Sequence, residues 1–195
     1  MIQPNFLELD WRVRRAIELT QTRPDTLSSR SYAAKLQASL DNFRTMTDET
    51  DHTYTAWRMV RGEQMKAFRD LRLESDRVRA LCDEHGLDDY PSQRIVYTDE
   101  TELLEFIGRA VAYLQVHVDE WDWISGAISR LEAGVSAAAA LKRKEQAAYK
   151  RYTERAKDRA GSYDSLFGML KDYIRDARSD VSSDPIYQEI RLVRA

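Results

Sequence analysis

The chain has 195 residues, 43% apolar and 32% charged, with seven glycines and four prolines. Few turn formers beside a charged share above the usual ~25% describe long, solvated helices with few loops, on the scale of one domain. A net charge of −3 argues against general nucleic-acid binding, and a single cysteine, Cys82, leaves no partner for an intramolecular disulfide.

A first helix is expected after Pro4, within an N-terminal segment 1–24. Phe6, Leu9, Val13, Ile17 and Thr20 recur at helical spacing on one face, with Arg12, Arg14 and Arg15 on the other. Pro24 ends it, because its ring clashes with a continued helix. A long second helix is expected over 26–86. From Leu36 the chain steps by four and three through Leu40, Phe43, Thr47, Thr50, Tyr54, Trp57, Arg61, Gln64, Phe68, Leu71, Ser75, Val78 and Cys82. That alternation is the pattern of a coiled-coil seam, apolar at both ends and mixed in the middle. Gly86 suits the left-handed residue that closes a helix.

Residues 87–98 read as a hairpin turn rich in turn formers, with 94–97 extended. Asp99 and Glu102 resemble a capping box for a third helix over 99–161. Its seam runs Leu104, Ile107, Val111, Leu114, Val118, Trp121, Ile124, Ile128, Leu131, Val135 and Ala138. The step from Trp121 to Ile124 repeats a three, which overwinds a supercoil locally. Gly161 is expected to break the helix and Ser162 to cap the next one, over 162–180. A short terminal helix, 184–195, starts at Pro185.

The expected fold is all-α: one elongated domain built on a long antiparallel helical hairpin, with a four-helix bundle at its open end and a bare two-helix arm toward the turn. The hairpin would be about 90 Å long at 1.5 Å per residue. Pairing residues whose numbers sum to about 185 matches Leu71 with Leu114 and Trp57 with Ile128. It also sets the small residues of 126–140 against Tyr54 and Trp57, which keeps packing dense. The same small run could instead admit a helix from another subunit.

The stretch from Asp83 to Glu105 holds eight acids and one base, while Lys142 to Arg159 holds eight bases and three acids. Opposite ends of the hairpin should therefore carry opposite charge, in part complementing the helix dipoles. Lys142, Arg143, Lys144, Lys150, Arg151, Arg155, Lys157 and Arg159, interleaved with Tyr149 and Tyr152, form a candidate surface for an acidic partner or single-stranded nucleic acid. Trp121 and Trp123 are candidate interface residues, since an exposed tryptophan points to a partner surface.

No catalytic or cofactor motif stands out, and no metal or cofactor is expected. Glu49-Thr-Asp-His52 has the Glu-x-x-His spacing of helical di-iron bundles, but only once. Under the pairing above, His52, His85 and His117 lie about 24 Å or more apart. Arg79-Ala-Leu-Cys-Asp-Glu-His85 resembles the Arg-x(4–6)-His motif of HEPN ribonucleases, all-helical bundles that act as dimers. That family usually has a polar residue after the arginine, where this chain has Ala80. The resemblance implies Arg79 steadying phosphate charge and His85 acting as general acid or base.

The leading expectation is a non-enzymatic assembly or adaptor protein, acting through protein–protein contacts as a homo-oligomer or a subunit of a larger complex. An accessory nucleic-acid subunit and a HEPN-like ribonuclease are the alternatives. Met1 to Asp10 lacks the basic region and apolar core of a signal peptide, and no run of ~18 apolar residues occurs, so a cytoplasmic protein is expected.

Overall fold

The structure, a computed structural model, describes residues 5–87, 89–91 and 100–191. It is all-α, with helices α1 (Phe6–Thr22), α2 (Leu27–Glu84), α3 (Glu100–Val116), α4 (Asp122–Asp176), α5 (Arg178–Val181) and α6 (Pro185–Ile190). The two long helices, α2 and α4, pack closely against each other as a helical hairpin and bundle. The chain divides into two compact units, Met1–Tyr54 with Arg151–Ala195, and Thr55–Lys150.

The first unit is a bundle. Asn5 opens α1, its side-chain oxygen accepting the Glu8 N–H at 2.8 Å. Leu9, Val13, Ala16, Ile17 and Leu19 of α1 are buried with Leu36, Leu40 and Phe43 of α2 and Leu166, Leu170 and Tyr173 of α4. Tyr187 and Ile190 of α6 complete this core. Arg12, expected to face solvent, instead turns to α6. It donates to the carbonyls of Ile190 (3.0 Å) and Arg191 (3.2 Å), groups that the end of a helix leaves unpaired. Arg15 pairs with Glu189 of α6 at 2.6 Å. The sequence pattern of α1 alone carried no trace of α6 lying along it. Asp184 caps α6, accepting the Ile186 N–H at 2.9 Å, with Pro185 in the first turn as expected. Val193, assigned to the same helix, lies outside the described residues.

The break expected at Gly161 does not occur: α4 runs unbroken from Asp122 to Asp176. Ser162, expected as a cap, is buried inside the helix and accepts a hydrogen bond from the Asn42 side chain at 3.1 Å. A lone helical glycine costs about 1 kcal/mol relative to alanine. Burial of Tyr163, Leu166, Leu170 and Tyr173 immediately after it outweighs that cost. A Cβ at Gly161 would meet nothing within 4 Å. Gly161→Ala is therefore expected to stabilise the protein by about 1 kcal/mol. The melting temperature should rise by about 2–4 °C, and a fall would contradict a continuous α4.

The second unit holds three helical segments. Gln64, Phe68, Leu71, Ser75, Val78 and Cys82, all on the expected α2 seam, are buried. Gly86, at φ 70°, closes α2, with the Leu87 N–H on the Cys82 carbonyl at 2.9 Å and the Gly86 N–H on that of Asp83 at 3.4 Å. This is the pair of hydrogen bonds of a Schellman cap, and the expected left-handed glycine is its centre. The expected capping box at Asp99 and the extended stretch 94–97 lie outside the described residues, as does most of the expected turn.

α3 does not extend the hairpin. Its first residue, Glu100, accepts the Gln64 side-chain amide at 2.9 Å and lies 3.7 Å from Arg61 and 3.8 Å from Lys142. The helix expected over 99–161 is thus two helices, α3 and α4, separated by a turn at 117–120. The bare arm is filled by a third helix. α3 buries Leu103, Phe106, Ile107, Ala110 and Leu114, a stripe wider than one seam, as a helix touching two neighbours requires.

The extra helix shifts the register. In the second unit Trp57 meets Glu145 and Tyr149, Leu71 meets Gly134, and Glu74 meets Arg130. Paired numbers in α2 and α4 therefore sum to about 205, not 185, a displacement close to the length of α3 and its turn. Bulky-against-small packing survives with a different partner: Leu71 lies over Gly134, its Cδ1 2.7 Å from where a Cβ would stand.

Candidate interaction surface

The turn between α3 and α4 contains neither glycine nor proline. The His117 N–H reaches the Leu114 carbonyl at 3.1 Å, the Glu120 N–H that of His117 at 3.0 Å, and the Ile124 N–H that of Trp121 at 3.1 Å. Val116 is 78% exposed, and Val118 and Trp121 are each 39% exposed. These are two branched aliphatic side chains and an indole facing solvent at one turn.

The Schellman cap carries His85 to this place. Its ring centroid lies 4.4 Å from that of Trp121 and 5.6 Å from that of Trp123, the latter pair stacked at 21°. His117 packs on Tyr113 at 4.7 Å and bonds Glu120 through Nδ1 at 2.9 Å. Tyr90 meets Tyr113 edge-on at 5.8 Å. The exposed indole is thus backed by a layer of rings and does not dangle. His85 and His117, which the earlier register set far apart, both border this turn. Among the described residues no group of three His, Cys, Asp or Glu side chains is placed to hold a metal.

The segments that meet here are acidic in sequence: Asp83, Glu84, Asp89, Asp119, Glu120 and Asp122 are all exposed, with Arg79 and Arg130 the bases that flank them. Cys82 is buried beneath, where desolvation foremost, and then Asp83, push its thiol up to about 11. A thiol so held is inert toward electrophiles while the unit stays folded.

The basic stretch is not one free surface. In the second unit Lys142 is engaged by Glu100 (3.8 Å) and Thr101 (3.3 Å), while Arg143, Lys144 and Lys150 are exposed. In the first, Arg155 meets Glu49 at 3.3 Å and Asp158 at 3.4 Å. Arg159 lies 3.8 Å from Asp51 and over the Phe6 ring at 4.9 Å. Arg151 and Lys157 are exposed. The expected separation of opposite charges fails at Glu100, an acid from the supposed far end that sits against Lys142. Tyr149 packs at a tilt on Trp57 at 5.4 Å and Tyr152 on Tyr54 at 5.4 Å, so both tyrosines join α4 to α2. Arg79 is exposed on α2, and His85 turns its ring to Trp121.

Sequence reasoning singled out Trp121 and Trp123 and set Val118 on one seam with Trp121, but missed the exposure of Val116 and Val118 and the ring of His85 against both tryptophans. The available clue was the irregular step from Trp121 to Ile124, read as an overwound supercoil where the chain in fact reverses. The first unit has an open groove of about 220 Å³ lined by Arg14, Gln37 and Arg44. Both arginines there are paired with Asp10, at 2.7 and 2.8 Å.

Comparisons with protein-family models, with curated proteins and with solved structures each returned no match. Among the described residues no helix is long and apolar enough to cross a membrane.

Proposed function

We propose that this protein is a non-enzymatic helical assembly or adaptor protein of the cytoplasm, working through protein–protein contacts. The supporting observation is the turn at Val116–Trp121: apolar side chains held exposed on a fixed aromatic base, in segments rich in exposed acids. A rigid indole flanked in the chain by charged groups has the anatomy of an interface hot spot. Partners of complementary, basic character are favoured by these acids.

The test is size-exclusion chromatography with light scattering on protein taken from its host, read at two absorbance wavelengths. A defined homo-oligomer or a stoichiometric protein complex, free of nucleic acid, is the expected result. Trp121→Ala should weaken that association by about tenfold or more, with the melting temperature little changed. A monomer that brings no protein with it contradicts the proposal.

One observation favours a second reading, an accessory nucleic-acid-binding subunit: Arg143, Lys144 and Lys150 stand exposed on one helix beside Tyr149, itself 49% exposed. It requires salt-sensitive binding of single-stranded RNA or DNA that is lost when the three bases become glutamate. Unchanged affinity in that variant removes it.

A further inference from the structure

α4 has a second periodic stripe besides the one it buries. Its inner face in the second unit is Ile124, Ala127, Ile128, Leu131 and Ala138, all buried. On the outside, steps of three and four run through Asp122, Ser125, Ser129, Ala133, Ser136, Ala140, Arg143, Ala147 and Lys150, and every one is exposed. That spacing averages 3.5 residues, the repeat that keeps one face of a helix toward a partner helix. The face is not dressed as a solvated one. Between Ser125 and Ala140 its only exposed charges are Arg130, bonded to Glu74 at 2.5 Å, and Glu132. On α2 of the same unit, exposed residues include Lys66, Arg69, Asp70, Arg72, Asp76, Arg77 and Arg79.

The charges lie at the two ends of this smooth stretch and are opposite in sign. Asp119, Glu120 and Asp122 flank one end, beside Trp121, and Arg143, Lys144 and Lys150 flank the other. About 42 Å of helix separates Asp122 from Lys150. A face acidic at one end, basic at the other and small in between is self-complementary under a two-fold axis across its middle.

We infer that the outer face of α4 is a docking surface for a second copy of this chain, with the two α4 helices antiparallel and the axis passing near Ser136. Asp122 of each copy then faces Lys150 of its partner, Ser125 faces Ala147, and Ser129 faces Arg143. Small side chains let the helix axes approach to about 8 Å. Both charge pairs form at once, so the contact closes as a dimer and does not propagate as a filament. The inference rests on the assembly reading and names its partner.

Two variants test it in the full chain by sedimentation equilibrium. Arg143→Glu with Lys150→Glu makes the face acidic at both ends, and Glu120→Lys with Asp122→Lys makes it basic at the acidic end. Each alone is expected to weaken the dimer by about tenfold or more, and an equimolar mixture of the two should restore it as a heterodimer. Ser136→Cys should give a disulfide-linked dimer on mild oxidation, and Lys66→Cys, on exposed α2, should not. A dimer that ignores the charge changes and is not trapped by Ser136→Cys overturns the inference and leaves the assembly reading standing. A monomer that elutes from host extract in a stoichiometric complex with another protein does the same. A monomer that brings no protein with it overturns both.

Discussion

Leu71→Ala is expected to destabilise the protein by about 2–5 kcal/mol, the range for emptying a buried leucine site. Leu71 is 2% exposed and lies over Gly134 in the core of the second unit. Because its Cδ1 occupies the space a Cβ on Gly134 would need, Gly134→Ala in the parent forces Leu71 to move within a packed core. In the Leu71→Ala background the same methyl enters vacated space and gains alanine's helix preference, about 1 kcal/mol. The effect of Gly134→Ala should therefore change sign between the two backgrounds, a coupling that urea denaturation of the four proteins measures. Additive effects would contradict the pairing of Leu71 with Gly134 and with it the register of α2 on α4.

Tyr173→Phe should stabilise the protein by about 1–3 kcal/mol, against the usual direction for a core substitution. Tyr173 is fully buried in the first unit, its ring on Tyr32 at 5.7 Å, and its hydroxyl has no hydrogen-bond partner among the described residues. The neighbouring hydroxyls are otherwise occupied: Tyr187 donates to the Ile174 carbonyl at 2.9 Å and Tyr32 to Asp176 at 2.7 Å. Phenylalanine keeps the ring and removes the stranded polar atom.

The same site sets an alkaline limit. Desolvation, and after it the nearby Asp184, push the Tyr173 phenol above its ordinary value of 10.0. Above that pH the unfolded chain loses the proton while the folded chain keeps it, so the unfolded state binds fewer protons and stability falls as pH rises. Tyr32, pushed up to about 12 by burial and by its bond to Asp176, adds to the fall in the same window. Tyr173→Phe should flatten the decline above about pH 10 in an alkaline denaturation series. A less stable variant would mean that the hydroxyl is held after all, and an unchanged alkaline limb would mean that Tyr173 does not set it.

The helix faces were largely legible. A seam read from spacing alone, Leu36 to Cys82, is buried or half-buried along its length except at Tyr54, because two long helices meeting side by side express their contact as a local repeat. Gly86 was legible for a similar reason, since a left-handed cap is a local demand on one residue. What failed was what depends on distant partners. Nothing local separates an overwound seam at Trp121 from a reversal there. That single ambiguity shifted every pairing, moved Glu100 to the wrong company and hid the neighbourhood of His85 and Trp121. Gly161 misled in the opposite direction, as a local breaker overruled by the core on either side of it. The outer stripe of α4 was visible as a run of small residues, but only burial shows which of them pack inside and which are left for a partner.

Sedimentation equilibrium of the full chain across a hundredfold range of concentration tests the central claim, that this molecule works by association, most directly. A mass rising reversibly from one chain of 22.7 kDa to a closed dimer, and falling again with Arg143→Glu and Lys150→Glu, is the expected result. A mass of 22.7 kDa at every concentration, from a protein that also elutes alone from host extract, would contradict it.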